Sequence, residues 1–327
     1  MKDLTIIIAE HNEGDQLKDT VENLLATSDK SKYNVIVVSD GSEIKPSIVP
    51  GVRYIETPVR GGVGAAFDVG AAHVDTPYMV IMGSDIRFRD NGYLDKLLEY
   101  LKKNQKSFIC TANIAINKDK MDVNADNLMI RYGARLLPFL TAKDLPPKGQ
   151  KMGQLKSDKA VSNYRNILEA KWQPRQEDGI YELPCILGAF YGVSTAWYNH
   201  VGGFRGHRFW GTLEPFISLK SWLAGGDCKI ASDIETAHIF KARSSHVTKP
   251  WDLLYNKLAV SKIVFDDEVA DKFINFLGNN THMEVAKEII NPHLDMIHAC
   301  RYKFSKVQER DIYWFKEKFP FKDYDVL

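Results

Sequence analysis

"LTIIIAEHNEG", Leu4–Gly14, is the stretch on which the fold turns. Leu4–Ala9 is a continuous apolar and β-branched run that does not alternate with polar residues. Such a run reads as a strand covered on both faces. A polar turn follows, Glu10-His11-Asn12-Glu13-Gly14. Residues 15–27 then place Leu17, Val21, Leu24 and Leu25 at helical spacing. Strand, turn and helix in this order open an α/β unit. A dinucleotide-binding domain would carry its glycine fingerprint directly after this strand. Here that place is acidic.

The rhythm continues outward from this unit. Residues 34–38 read as a second buried strand, 52–56 as a third and 78–82 as a fourth. Residues 62–74 are small and helix-compatible, 93–103 form an amphipathic helix, and 107–114 add a further strand. Strands alternating with helices imply a mostly parallel sheet flanked by helices, because parallel strands need crossover connections. The rhythm breaks over 115–180, which contains the loop-like "LPPKGQKMGQLKSDK". Strand-like and helical pieces return at 180–187, 194–201, 214–224 and 228–232. Residues 251–327 read as mainly helical. The expected organisation is one domain over 1–250, with 115–180 inserted on its acceptor side, and a helical C-terminal extension over 251–327.

Composition narrows the function classes. Lys+Arg 43 against Asp+Glu 42 gives the whole chain no strong field for nucleic acid or membrane. The first apolar run ends at Glu10, so it reads as a strand and not a signal peptide. No run approaches the roughly 18 apolar residues of a membrane span. The four cysteines are scattered without a C-x-x-C pair, which suits reduced thiols in a cytoplasm. One segment departs from neutrality. Residues 131–175 hold ten Lys/Arg against three acids, a net +7, with Tyr132, Phe139, Tyr164 and Trp172 between them.

Three strand ends carry acids: "EHNEG", "SDGS" (Ser39–Ser42) and "GSD" (Gly83–Asp85). Ligands of open α/β sheets bind beyond the carboxyl ends of the strands. Acids there serve two chemistries, hydrogen-bonding a base or ribose and holding a cation that carries phosphates. Asp, Asn, Gly and Ser are also ordinary turn formers. A P-loop is absent. So is the glycine-rich basic loop of a nucleotidyltransferase.

With these residues in view, the sequence resembles the GT-A-type glycosyltransferases, in particular family 2 enzymes and the polypeptide N-acetylgalactosaminyltransferases. "TIIIAEHNEG" and "VIVVSDGS" are similar to their first two strands, and "RGGVGAAFDVGAA" (60–72) to the segment after their third. "MGSDIRF" (82–88) resembles their metal-binding strand end, with Gly83 where the first acid would stand. "GAFYGVSTAWYNHVGGF" (188–204) and "FWGTLEPFISLKSWLAGGDCKIASDIETAHIF" (209–240) resemble their acceptor-side segment, helix and final His. The resemblance covers 1–90 and 185–241.

That resemblance implies a transferase moving a sugar from a nucleoside-diphosphate sugar, expected to be a UDP-sugar, to an acceptor hydroxyl. It implies Ala9, His11, Glu13, Asp40, Arg60, Gly62, Ser84 and Trp210 as nucleotide-sugar contacts. It implies Asp85 and His238 as ligands of a divalent metal, Mn²⁺ or Mg²⁺, and Glu214 as the base. The other readings are an acid favoured by a helix N-terminus for Glu214 and a core histidine for His238. Arg60, Arg87, Lys241 and Arg243 are either helpers for the diphosphate or solvated charges. The basic segment 131–175 is either a solvated insert or the binding surface for a polyanionic acceptor. Hydroxymethylated bacteriophage DNA, modified in the host cytoplasm, is the specific version. Glycan, lipid-linked and protein acceptors stay open. So do a catalytically inactive nucleotide-sugar-binding module and an interaction scaffold built on the C-terminal helices.

Overall fold

A computed structural model describes residues 2–117, 129–137, 168–240 and 248–320. The first strand, β1 (Leu4–Glu10), lies at the centre of its sheet, and Ile6, Ile7 and Ile8 are each 0% exposed. Successive side chains of a strand point to opposite faces. Ile7 and Ala9 join the apolar cluster on one face, and Leu4, Ile6 and Ile8 join the cluster on the other. The unbroken apolar run follows from this double coverage.

Around β1 run β2 (Tyr33–Asp40), β3 (Arg53–Thr57) and β4 (Tyr78–Gly83) in the order β3-β2-β1-β4, all parallel. They are linked by α1 (Asp15–Ala26) and α2 (Val63–Ala71). This half is the parallel sheet expected from the sequence. Beyond β4 the pairing changes. Strand β11 (Phe190–Ser194) runs antiparallel between β4 and β6 (Ser107–Asn117), so the whole sheet is mixed. Strand β12 (Asp227–Phe240) lies parallel to β6 and antiparallel to the short β5 (Ile86–Phe88) and β10 (Ile180–Glu182). The edge strand β7 (Met129–Arg131) pairs with β6. A separate ribbon joins β8 (Ala134–Leu137) to β9 (Glu169–Trp172).

Helix α3 (Tyr93–Lys103) covers one face beside α1. The other face carries α2, α4 (Thr195–Val201), α5 (Leu213–Leu223) and α6 (Pro250–Val264). Helix α6 is buried on nearly every side, including Asn256, Lys257 and Ser261. Around it pack α7 (Asp267–Leu277), α8 (Thr281–Ile290), α9 (Leu294–Ser305) and α10 (Ile312–Lys318). These helices share an apolar cluster with the sheet. The segment between α9 and α10 returns to the end of α5. The Glu309 and Arg310 amides donate to Leu223 O at 2.8 and 2.9 Å, and Arg310 Nη1 donates to Trp222 O and Gly226 O at 3.2 and 3.0 Å. Carbonyls left open at a helix C-terminus are thereby satisfied by a cation, which the helix dipole also favours.

Candidate active site

The carboxyl ends of β1, β2 and β4 open into a cavity of about 380 Å³. Ala9, His11, Glu13, Asp40, Arg60, Gly62, Ser84, Asp85, Trp210, Glu214 and His238 all line it. Eleven residues spread over 230 positions thus meet in one place.

The first two loops are tied together by their polar side chains. Asn12 takes a left-handed conformation, φ 56°, which Asn tolerates better than most residues. Its Oδ1 accepts from the Glu43 and Ile44 amides at 2.8 and 3.0 Å. His11 Nδ1 lies 2.7 Å from Asp40 O, so the Nδ1–H tautomer donates there. Glu10, which also lines the cavity, accepts from Ser42 Oγ at 2.8 Å.

Asp40 carries a structural duty alongside its position in the cavity. Its two carboxylate oxygens accept from the Gly61 and Gly62 amides at 2.8 and 2.7 Å. This fixes the turn at which Gly62 (φ 98°) meets the 209–212 loop. A Cβ on Gly62 would stand 2.3 Å from Phe209 N, so only glycine permits the approach. The loop itself is held in unusual backbone geometry, with Phe209 and Thr212 at φ 59° and 62°. Strained residues of this kind cluster at ligand sites and persist where their surroundings over-determine them. Here α6 supplies the support. Asn256 accepts from the Arg208 amide at 2.9 Å and donates to Trp210 O and Gly211 O at 3.2 and 3.1 Å. His207 Nε2 reaches Gly211 O at 2.7 Å, and burial pulls the His207 pKa down to about 4. Trp210 is left 52% exposed at the cavity rim.

Asp85 and His238 meet directly. His238 Nε2 lies 3.3 Å from Asp85 Oδ1, and the Ile239 amide donates to Asp85 O at 2.9 Å. Pairing of β5 with β12 sets this register, His238 opposite Ile86. His238 Nδ1 is buried without a hydrogen-bond partner. Gly83 stands where the first acid would. A Cβ there would stand 2.7 Å from Asp85 Oδ1, so the carboxylate of Asp85 occupies the space a side chain at 83 would need.

Glu214 projects from the first turn of α5 into the same cavity. Tyr191 Oη donates to Glu214 Oε1 at 2.8 Å and accepts from the Ala189 amide at 2.8 Å. Burial pushes the Glu214 carboxyl up from its ordinary value. The Tyr191 hydrogen bond opposes this and nearby Glu169 adds to it. Tyr191 is raised well above its ordinary value, by burial and then by Glu214, so it stays a donor.

Three further wall residues have no role assigned from the sequence: Tyr191, and on β9 Glu169 and Ala170. Glu169 Oε1 accepts from the fully buried Lys257 of α6 at 2.9 Å. Of the two described cations among those named as diphosphate helpers, Arg60 lines the cavity and Arg87 does not. Arg87 is neither a cavity residue nor a solvated charge: it is 7% exposed, donates to Thr20 Oγ1 and Ile86 O, and faces Asp19 at 3.8 Å. Lys241 and Arg243 lie outside the described residues. So does most of the basic segment, including Phe139 and Tyr164. Its described cations are partly engaged within the chain. Arg131 sits 5.4 Å from the Trp172 ring and 5.2 Å from the Phe240 ring, and Arg175 sits 5.6 Å from the Tyr132 ring.

The cavity is acidic. Six carboxylates line it (Glu10, Glu13, Asp40, Asp85, Glu169, Glu214) against one guanidinium among the described residues. A diphosphate entering such a field needs a countercharge, and Asp85 with His238 suits one. Two donors about 2.1 Å from one octahedral ion stand about 3 Å apart, close to the 3.3 Å observed. A carboxylate with an imidazole is a donor set that Mn²⁺ accepts. Among the described residues no cluster of three or more His, Cys, Asp or Glu could hold a metal. A cation held by this pair would leave its remaining positions open to a ligand's phosphates and to water.

Known proteins resemble this chain in sequence and in fold. Residues 5–154 match the model of "Glycosyl transferase family 2". The putative polypeptide N-acetylgalactosaminyltransferase 9 of Drosophila melanogaster is 22% identical over 301 residues, 84% of this chain and 41% of that protein. Polypeptide N-acetylgalactosaminyltransferase 10 of Mus musculus is 24% identical over 311 residues, 91% of this chain and 47% of that protein. This chain thus spans less than half the length of both. Among solved structures, GalNAc-T7 with UDP, GalNAc and Mn²⁺ superposes with a TM-score of 0.65 at 15% identity, over 98% of this chain and 56% of that one. Among the described residues no helix is long and apolar enough to cross a membrane. With the fold, the strand-end site and these matches together, the chain is similar to glycosyl transferase family 2 over residues 5–154 and has a fold of the GT-A glycosyltransferase kind.

Proposed function

We propose that this protein transfers a sugar from a nucleoside-diphosphate sugar, a UDP-sugar, to an acceptor hydroxyl, with a divalent cation held by Asp85 and His238. The observation that carries the reading is the Asp85–His238 pair inside an acidic cavity at the strand ends. The relatives' own activity, and the UDP and Mn²⁺ of the GalNAc-T7 crystal, support the same reading. His11, Glu13, Asp40 and Gly62 form the nucleotide end. Arg60, Ser84 and Trp210 border the diphosphate and sugar. A cation bound to Asp85 and His238 supplies countercharge to the leaving diphosphate.

The protein's own groups do the rest. Glu214 accepts the acceptor hydroxyl's proton at its carboxylate, held by Tyr191. The Asn256-braced 209–212 loop closes the donor pocket. Residues 1–250 carry this site, and the helices of 251–327 support it. Four free, buried cysteines accord with the cytoplasm as the place of action. In the test, Glu214→Gln keeps UDP binding and loses sugar transfer. Binding and transfer both retained in full would remove Glu214 from the reaction.

A polyanionic acceptor, such as hydroxymethylated DNA, is the more specific version. One feature of the described residues favours it. Arg135 and Lys171 stand opposite each other across the β8–β9 ribbon, both exposed. Like charges directly opposed cost stability unless something answers them. Duplex DNA should bind at low salt and bind more weakly after Arg135→Glu and Lys171→Glu. Absence of binding leaves a glycan, lipid-linked or protein acceptor.

A further inference from the structure

A second cavity, of about 290 Å³, lies on the other side of α2. Val63, Ala66 and Phe67 of that helix line the first cavity, and Asp68, Ala71 and Ala72 line the second. Its remaining walls are the end of α4 with the Gly202-Gly203 turn, α5 and α9. Four basic side chains converge there from different elements: His200, Arg205, Lys220 and Lys303. One acid faces them, Asp68.

Lys220 is 3% exposed. Its ammonium donates to Gly203 O at 2.7 Å and lies 4.7 Å from the Phe216 ring and 5.9 Å from the Phe304 ring. An ammonium has three donors, and one carbonyl does not use them. Asp68 offers little compensation. Its Oδ1 already accepts from Tyr198 Oη at 2.6 Å and the Phe204 amide at 2.9 Å. Burial pushes Asp68 up towards its neutral form and pulls Lys220 down to about 8. Arg205 and Lys303 are exposed at the rim and form no ion pair among the described residues. A buried, under-used cation with further unpaired cations at the mouth describes an anion site. Lys220, Arg205 and Lys303 outnumber the single acid, Asp68, by at least two positive charges whether or not that acid is ionised, an excess that a phosphoryl dianion answers more fully than a carboxylate.

We propose that this second cavity binds a phosphoryl anion, either the free ion or the phosphate ester of a small molecule, at a site separate from the donor pocket. The alternative is that Lys220 only props the Gly203 turn, in which case the rim cations are idle. Isothermal titration of the full chain distinguishes them, using inorganic phosphate and glucose 1-phosphate as probes. The wild type should bind at least one probe saturably at low ionic strength. Arg205→Gln with Lys303→Gln should weaken it by at least about tenfold, while Arg60→Ala, which alters the first cavity, should leave it unchanged. Both rim residues are exposed, so the double variant should keep the wild-type fold and melting temperature. Equal binding of the two probes assigns the free ion, and tighter binding of the ester assigns the ester. No saturable binding, equal affinity in the double variant, or loss in Arg60→Ala would each overturn the proposal.

Discussion

Glu214 and His207 show how burial writes a pH dependence into single residues. Glu214 is raised by burial, so the base proposed for it would be available only above that elevated value. The acidic limb of kcat/KM should therefore lie above pH 4.5, and Glu214→Gln should lower kcat by about 10²–10⁴ with little effect on donor affinity. The same residue is a stability liability. A carboxyl raised in the folded state costs stability as pH climbs from its unfolded value through its folded one. Glu214→Gln should thus melt higher than wild type at pH 7 and lose that advantage below pH 4.5. His207 has the opposite consequence. Its pKa is depressed to about 4, so the unfolded chain binds the proton first, and stability is lost as pH falls from 6.5 towards 4. The shift corresponds to something on the order of 3 kcal/mol. His207→Gln should flatten that part of the stability–pH curve, measured by urea unfolding at several pH values.

Two elements brace the site from behind: α6 holds the 208–211 loop, and the 305–311 segment caps α5. Arg310→Ala removes a charged cap from the C-terminus of α5 and should cost about 1–3 kcal/mol in denaturant unfolding. Asn256→Leu should instead loosen the 208–211 loop and raise the donor KM more than it lowers kcat. Retained donor affinity in that variant would mean the loop is held by other contacts. The same elements mark what the sequence discloses. Strands β1, β2 and β4 are legible because double coverage demands unbroken apolar runs. Strand β12 is legible only over Cys228–Ser232. Its continuation carries Asp233 and Glu235 across a register shift between Ala231 and Glu235, and no alternation survives there. The β8–β9 ribbon is hidden by Arg135 and Lys171, which suit an exposed face and resemble loop composition. Helix α5 reads clearly, yet Tyr191, the partner of its Glu214, looks like any aromatic in a strand until β4–β11 pairing brings it to the cavity. Asp40 was legible as a strand-end acid. That its oxygens also hold the Gly61-Gly62 turn depends on a contact across twenty residues.

For the whole molecule, the sheet gathers acids from three successive strand ends, and the second half of the chain adds Glu214 and His238 to them. An acidic cavity of this kind repels a diphosphate unless a cation comes with it, so donor binding and metal binding are one event in this account. Among the site's residues, Gly83 sharpens the point. Asp85 fills the space beside it, and β12 brings His238 to within 3.3 Å of the Asp85 carboxylate. The most direct measurement is isothermal titration of UDP into wild type and His238→Ala, with and without Mn²⁺. Wild type should bind UDP measurably only with the cation, and His238→Ala should lose most of that dependence along with most of the affinity. Equal UDP binding without metal, or an unchanged metal dependence in His238→Ala, would contradict the assignment of Asp85 and His238 as the cation's seat.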